Sequence, residues 1–208
     1  MSTQLILDSA DAVAAALAEN EDVIEGLDRA IGDGFHYHNI KRGAETITAL
    51  REELEDQTPD VALQKIGMKL LSTIGGASGP LIASFFMAMA KTEGSAKMSD
   101  QETIARMVSA GVEAIGKRGK SGLGEKTMLD VLIPIAEALT KLSTEGHTNA
   151  EIASELKKVA EAGMLSTKDM LATKGRASFL GERAIGHIDP GAMSCKVIIA
   201  TLCDRVTT

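Results

Sequence analysis

Apolar residues recur at intervals of three and four along almost the whole chain, and glycine-rich polar segments interrupt that rhythm at 32–39, 75–80, 118–127 and 173–191. Such spacing lines one face of a helix, whereas a strand would need alternation with a period of two. Val23, Ile24, Leu27 and Ile31 mark one such face, and Val61, Leu63, Ile66, Leu70 and Leu71 mark another. No stretch reads as a strand. The pattern predicts an all-α chain of about eight helices, and its short connections favour antiparallel neighbours. An up-and-down bundle or barrel, one domain over 1–208, is therefore expected. In an alternating bundle the four glycine-rich loops gather at one end.

Local signals set the expected helix boundaries. Asn20 followed by Glu21 and Asp22 restarts a helix after the first, and a third runs from about His38 to Glu55. Thr58 with Pro59 opens the next. Ser99 with Glu102, and Thr148 with Glu151, have the spacing of capping boxes. A helix is expected from Thr127 to Leu142, bent by Pro134, and a last one from Met193 to Val206. With four phenylalanines, one tyrosine and no tryptophan, the core must be packed by aliphatic side chains.

A formal net charge of −7 offers nucleic acid and anionic membranes no general attraction, so a polyanion needs a local cationic site. Cys195 and Cys203, eight residues apart on one helix, are separated by roughly 12 Å of rise, beyond the ~7 Å limit for a disulfide. Free thiols fit a reducing compartment. No run of about 18 apolar residues suggests a membrane span, and residues 1–12 lack the basic-then-apolar pattern of a secretory leader. A cytoplasmic protein is expected.

The densest chemistry lies in LDRAIGDGFHYHNIKRG, residues 27–43, which holds Asp28, Asp33, His36, His38, Asn39, Lys41 and Arg42. Carboxylates such as Asp28 and Asp33 suit Mg²⁺, which prefers oxygen ligands and leaves positions for phosphate. GGASGP at 75–80 is a glycine turn that opens a helix, a place where backbone N–H groups hold an anion; a close interhelical turn uses the same residues. RGKSGLGEKTM at 118–128 reads equally as a mobile flap or as an exposed connector. Arg176 has the geometry to pair with phosphate bidentately. The sum describes a Mg²⁺–nucleotide site without the GxxxxGK[ST] pattern of a P-loop. There is no serine nucleophile elbow and no HExxH or paired CxxC zinc pattern.

The blocks LDRAIGDG, HNIKRG, IGGASGP, RGK with GEKTM, and KGRASFLGERAIGHIDPGA resemble, in order and over nearly the whole chain, the nucleotide-binding L subunit of bacterial dihydroxyacetone kinase. The same domain ends the single-chain kinases. The resemblance implies an eight-helix antiparallel barrel holding ADP or ATP through two Mg²⁺ ions. It implies phosphoryl transfer to a keto-sugar on a K-type partner subunit, which also supplies any general base. A phosphotransferase-system M subunit is an implied donor in one branch, free ATP in the other, and a homodimer is a further expectation. By position, Asp28 and Asp33 match metal ligands. His36, Asn39, Ala77, Ser78, Gly119, Thr127, Met128, Arg176, Asp189 and Gly191 match nucleotide-contacting positions. The pattern departs where Phe35 stands for a third aspartate and Tyr37 for a glycine. The first leaves the metal fewer ligands, and the second is expected to crowd the phosphate end. The alternative is thus a non-catalytic regulatory relative with impaired Mg²⁺–nucleotide binding.

Overall fold

The computed structural model describes residues 3–207, and among the described residues lie ten α-helices and no strand. They are α1 Thr3–Glu19, α2 Glu21–Ile31, α3 His36–Ala49, α4 Arg51–Leu54, α5 Pro59–Thr73, α6 Ser78–Lys91, α7 Gln101–Gly119, α8 Leu129–Thr144, α9 Asn149–Ser166 and α10 Pro190–Thr207. Two 3₁₀ segments, Thr167–Asp169 and Arg176–Ala184, break up the stretch between α9 and α10.

Eight of these helices form a closed ring. Going round it, α1 packs on α3, α3 on α5, then α6, α7, α8, α9 and α10 follow in turn, and α10 returns to α1. α2 and α4 are short additions outside that cycle, which is why ten helices make an eight-helix barrel. Small residues let neighbours approach closely where aromatics are scarce. A Cβ at Gly163 of α9 would lie 2.5 Å from the Asp130 carbonyl of α8, and one at Gly111 of α7 would lie 2.5 Å from the Phe85 ring of α6. The core between α8, α9 and α10 is correspondingly aliphatic, with Val131, Ile135, Ile152, Leu156, Met164 and Ile199 buried together.

Boundaries shift from expectation wherever a side chain caps a helix. The Thr148–Glu151 capping box is present, Thr148 N–H donating to Glu151 Oε2 at 2.8 Å. The Ser99–Glu102 box is not. Asp100 caps α7 instead, its Oδ1 accepting Thr103 N–H at 2.7 Å, because its carboxylate reaches a donor that also holds it below its ordinary pKa. The expected 38–55 helix breaks at Leu50, whose N–H bonds back only three residues to Ile47. α8 starts at Leu129 rather than Thr127 and runs on past Pro134. α10 starts earlier than Met193, at Pro190, where proline's missing N–H costs nothing. Cys195 and Cys203 are free, as their spacing requires. No helix among the described residues is long and apolar enough to cross a membrane.

Loop residues 120–128 are fixed from beneath by a lysine. Lys126 is 1% exposed and adopts φ +59°, and its Nζ donates to the carbonyls of Thr167, Lys168 and His187. Burial lowers its pKa, against the pull of Asp189, Asp169 and Asp130. Its neighbour Glu125 works outward, accepting from Gly122 N–H at 2.7 Å and Thr173 Oγ1 at 2.8 Å, with Lys174 Nζ 3.6 Å away. One residue pair therefore joins the 118–128 loop to the 167–191 segment.

Lys126→Met strands three carbonyls from their donor, and we expect it to lower unfolding free energy by roughly 2–4 kcal/mol in urea titrations. The Gly122 N–H, followed by Thr173, holds the Glu125 carboxyl at about 2, below its ordinary 4.5. A depressed carboxyl gives stability that is full above its unfolded pKa and is lost as pH falls through the folded one. Glu125→Gln should therefore flatten the stability profile between about pH 5 and pH 2. An acid-side profile unchanged by the substitution would show that the latch is absent in solution.

Candidate functional site at the loop end of the barrel

Asp28 sits in the last turn of α2 and is 4% exposed. Its Oδ2 accepts the His36 N–H at 2.8 Å, the first amide of α3, where an anion is favoured by the helix end. The carboxylate folds over Gly32, where a Cβ would stand 1.7 Å from Asp28 Oδ1, so only glycine leaves it room. Beyond it the chain turns through Gly34 at φ +77°, a left-handed conformation that glycine adopts freely. Asp33 Oδ1 accepts the Phe35 N–H at 3.2 Å, and its Oδ2 meets Arg176 Nε at 2.9 Å. His36 Nε2 lies 3.0 Å from Ser194 Oγ, which itself donates to the Gly191 carbonyl. Burial lowers the His36 pKa from 6.5, with Asp28, the Pro190 carbonyl and Asp33 opposing.

The other expected residues come from every remaining loop. Asn39, one turn into α3, has its Oδ1 3.4 Å from where a Cβ on Gly75 would be, beside the turn before α6. Ala77 is exposed at the N-cap position of α6, and Ser78 is its first residue, so the unpartnered amides of that helix start there. Gly119 ends α7 against Leu81 of α6. Thr127 donates its N–H to Asp130 Oδ2 at 2.7 Å, and Met128 stands close to Gly191. Asp189 has a structural task, capping α10 by accepting the Ala192 N–H at 2.7 Å. Burial pushes its carboxyl up to about 7, against the Ala192 N–H and Lys126. A Cβ at Gly191 would lie 2.9 Å from Asp189 Oδ2.

The links Asp33–Arg176, Glu125–Thr173 and His36–Ser194, with Asn39 standing beside Gly75, gather all four glycine-rich loops at one end of the barrel. Connections of the opposite end bond to one another, as when Gln101 Nε2 donates to the His147 carbonyl. Sequence reasoning missed Lys126, Asp130 and Ser194. Asp130, 2% exposed, accepts the Gly124 and Thr127 N–H groups and so shapes the loop ahead of α8. Its place three residues after Thr127 was the available signal.

The two departing aromatics have different fates. Tyr37 is 3% exposed and packs with Leu17, Ile24, Ala44 and Val197, in the core rather than at the phosphate end. Burial, reinforced by Glu21, Glu25 and Glu45, pushes its phenol up to about 12. Phe35 is 61% exposed beside Asp33. His38 accepts from Arg42 Nη2 at 2.6 Å on the outer face of α3 and is no substitute ligand. Among the described residues no three His, Cys, Asp or Glu side chains converge as a metal set. The residues present do not fit a pair of Mg²⁺ ions. A single Mg²⁺ is a different case, since one that shares phosphate oxygens needs only one or two carboxylates from protein, and Asp28 and Asp33 supply that number.

Comparison with known proteins places this geometry in a family. The DAK2 domain matches residues 30–204. The ADP-binding subunit DhaL of PEP-dependent dihydroxyacetone kinase 1 from Listeria innocua is 43% identical over 86% of this chain and 85% of its own length. The corresponding Escherichia coli subunit is 39% identical, over 87% and 86%. Among solved structures, the dihydroxyacetone kinase from C. freundii in complex with AMP-PNP and Mg²⁺ superposes with a TM-score of 0.74 at 24% identity, over 97% of this chain and 34% of that one. The chain thus belongs to the DAK2-domain family, among relatives that are ADP-binding subunits of dihydroxyacetone kinase.

Proposed function

We propose that the chain is the nucleotide-binding subunit of a dihydroxyacetone-type kinase, holding ADP or ATP at the loop end and passing phosphoryl to a keto-sugar carried by a K-type partner. What supports this reading is the set of short contacts at the loop end, Asp28 on the first amide of α3, Asp33 on Arg176, and Asn39 of α3 beside Gly75 in the turn that opens α6. A nucleotide's phosphates need cations and N–H donors in one place, and that is what the four loops bring together. The first relatives are named ADP-binding subunits of PEP-dependent kinases, which favours a resident ADP recharged by a phosphotransferase-system partner over free ATP as donor.

In this reading Mg²⁺ would be held in the loop that carries Asp28 and Asp33, with Asp28 as its protein ligand, and it would neutralise phosphate charge. Arg176 places its guanidinium on the transferring phosphate, and the backbone N–H groups around Ala77 and Ser78 donate to the remaining oxygens. The Thr127–Met128 corner and Gly191 form the wall beside them. His36 stays neutral near pH 7 and keeps Ser194 and the start of α10 in register with the Asp28 loop. Catalysis is positioning and charge stabilisation, with no general base from this chain. A second reading, a regulatory relative that has lost metal-dependent binding, is favoured by Phe35 alone.

Calorimetric titration of ADP with Mg²⁺, and again with excess chelator, separates the two. We expect saturable binding with Mg²⁺ that weakens at least about ten-fold with chelator, given the strength of metal–phosphate neutralisation. Gly32→Ala should abolish the metal-dependent part while leaving the melting temperature within a few degrees, because its Cβ collides with the Asp28 carboxylate at an exposed loop. Metal-independent behaviour in the unsubstituted chain would support the regulatory reading.

A further inference from the structure

Resting on the nucleotide reading, we infer that the site takes one divalent cation with its nucleotide and that the Arg176 guanidinium stands in for a second. Two ions bridging phosphates each require protein oxygen. The 28–38 segment offers two carboxylates only, and each further side chain in it is committed elsewhere. Phe35 has no lone pair, and its N–H is spent on Asp33. His36 faces Ser194, Tyr37 lies in the core, and His38 pairs with Arg42. Two buried acids near the other loops are likewise committed. Asp189 caps α10, and Asp130 takes up two backbone amides.

The two aspartates are also unequal. Asp28 keeps Oδ1 clear of the His36 amide that binds Oδ2, whereas Asp33 has an amide on one oxygen and a cation on the other. A divalent ion at Asp33 would have to displace the guanidinium or sit beside it, like charge against like. The simplest occupancy leaves the ion at Asp28 and Arg176 at Asp33. Arg176 is suited to that place because the contact uses Nε, leaving both Nη groups to donate to phosphate oxygens in parallel. Its side chain is 70% exposed, so it can follow the phosphate without repacking the barrel.

Counting bound Mn²⁺, as a spectroscopic substitute for Mg²⁺, tests this directly. Equilibrium dialysis of the chain at saturating ADP, with free Mn²⁺ read by electron paramagnetic resonance, should give about one ion per chain. Phe35→Asp, at an exposed position, should raise the count to about two. Arg176→Gln should weaken ADP binding about ten-fold, the loss of a charge-assisted contact. Two ions in the unsubstituted chain, none, or ADP affinity unmoved by Arg176→Gln would each overturn the inference. ADP bound only after Phe35→Asp would overturn it too, while leaving the family's nucleotide site in place. ADP bound by neither chain would instead overturn the nucleotide reading itself and the inference with it.

Discussion

The loop end of this barrel is held by one buried ammonium. Lys126 can remain charged away from water only because the carbonyls of Thr167, Lys168 and His187 replace its hydration. Two of those carbonyls belong to the single 3₁₀ turn that follows α9, and the third to the irregular stretch before α10. The lysine therefore does for the 118–128 and 167–191 loops what the aliphatic core does for the helices. Asp189 and Gly191, which follow His187 at the start of α10, inherit their position from it. So does the outer latch at Glu125, through which Thr173 and Lys174 hold the strand of chain leading to Arg176.

Much of this architecture could be read from residue order. The three-to-four spacing of apolar residues marks the helices, and alternation of direction is enough to bring the four glycine-rich loops together. The barrel closes because α10 finds α1, a contact that no local signal announces. Helix ends were legible where the capping partners are adjacent in sequence and unambiguous, as at Thr148 and Glu151. They were misplaced where two capping residues stand side by side, as at Ser99 and Asp100, where Asp100 takes the Thr103 N–H and Ser99 donates to its carboxylate. Lys126 was opaque for a different reason. A lysine in a glycine-rich loop looks the same whether it awaits an anion or is enclosed by carbonyls, and only tertiary burial separates the two.

Phe35 and Tyr37 show how two substitutions that look alike in sequence diverge in space. They lie two residues apart across the first turn of α3, so the start of the helix turns one inward and the other outward. Tyr37 becomes part of the wall between α1, α2, α3 and α10, and its size is absorbed there. Phe35 remains at the mouth, where its cost is electrostatic rather than steric. The same loop still presents the Asp28 carboxylate to a helix amide and the Asp33 carboxylate to Arg176. None of these contacts uses the Phe35 side chain.

The closed ring also decides where this barrel can be joined to something else. α1 begins beside Gln57, where Thr3 Oγ1 donates to its carbonyl at 2.7 Å, and the last turn of α10 brings Arg205 within 4.0 Å of Asp8 on α1. Both described termini therefore lie at the end away from the loops. With α1 17 residues long, a neighbouring domain attached at either terminus starts roughly 25 Å from the loop end. A tether that folds back along the barrel needs on the order of eight extended residues to cover that span. Longer relatives, in which such a barrel makes up about a third of the chain, must meet this geometric requirement or reach the loops of another copy.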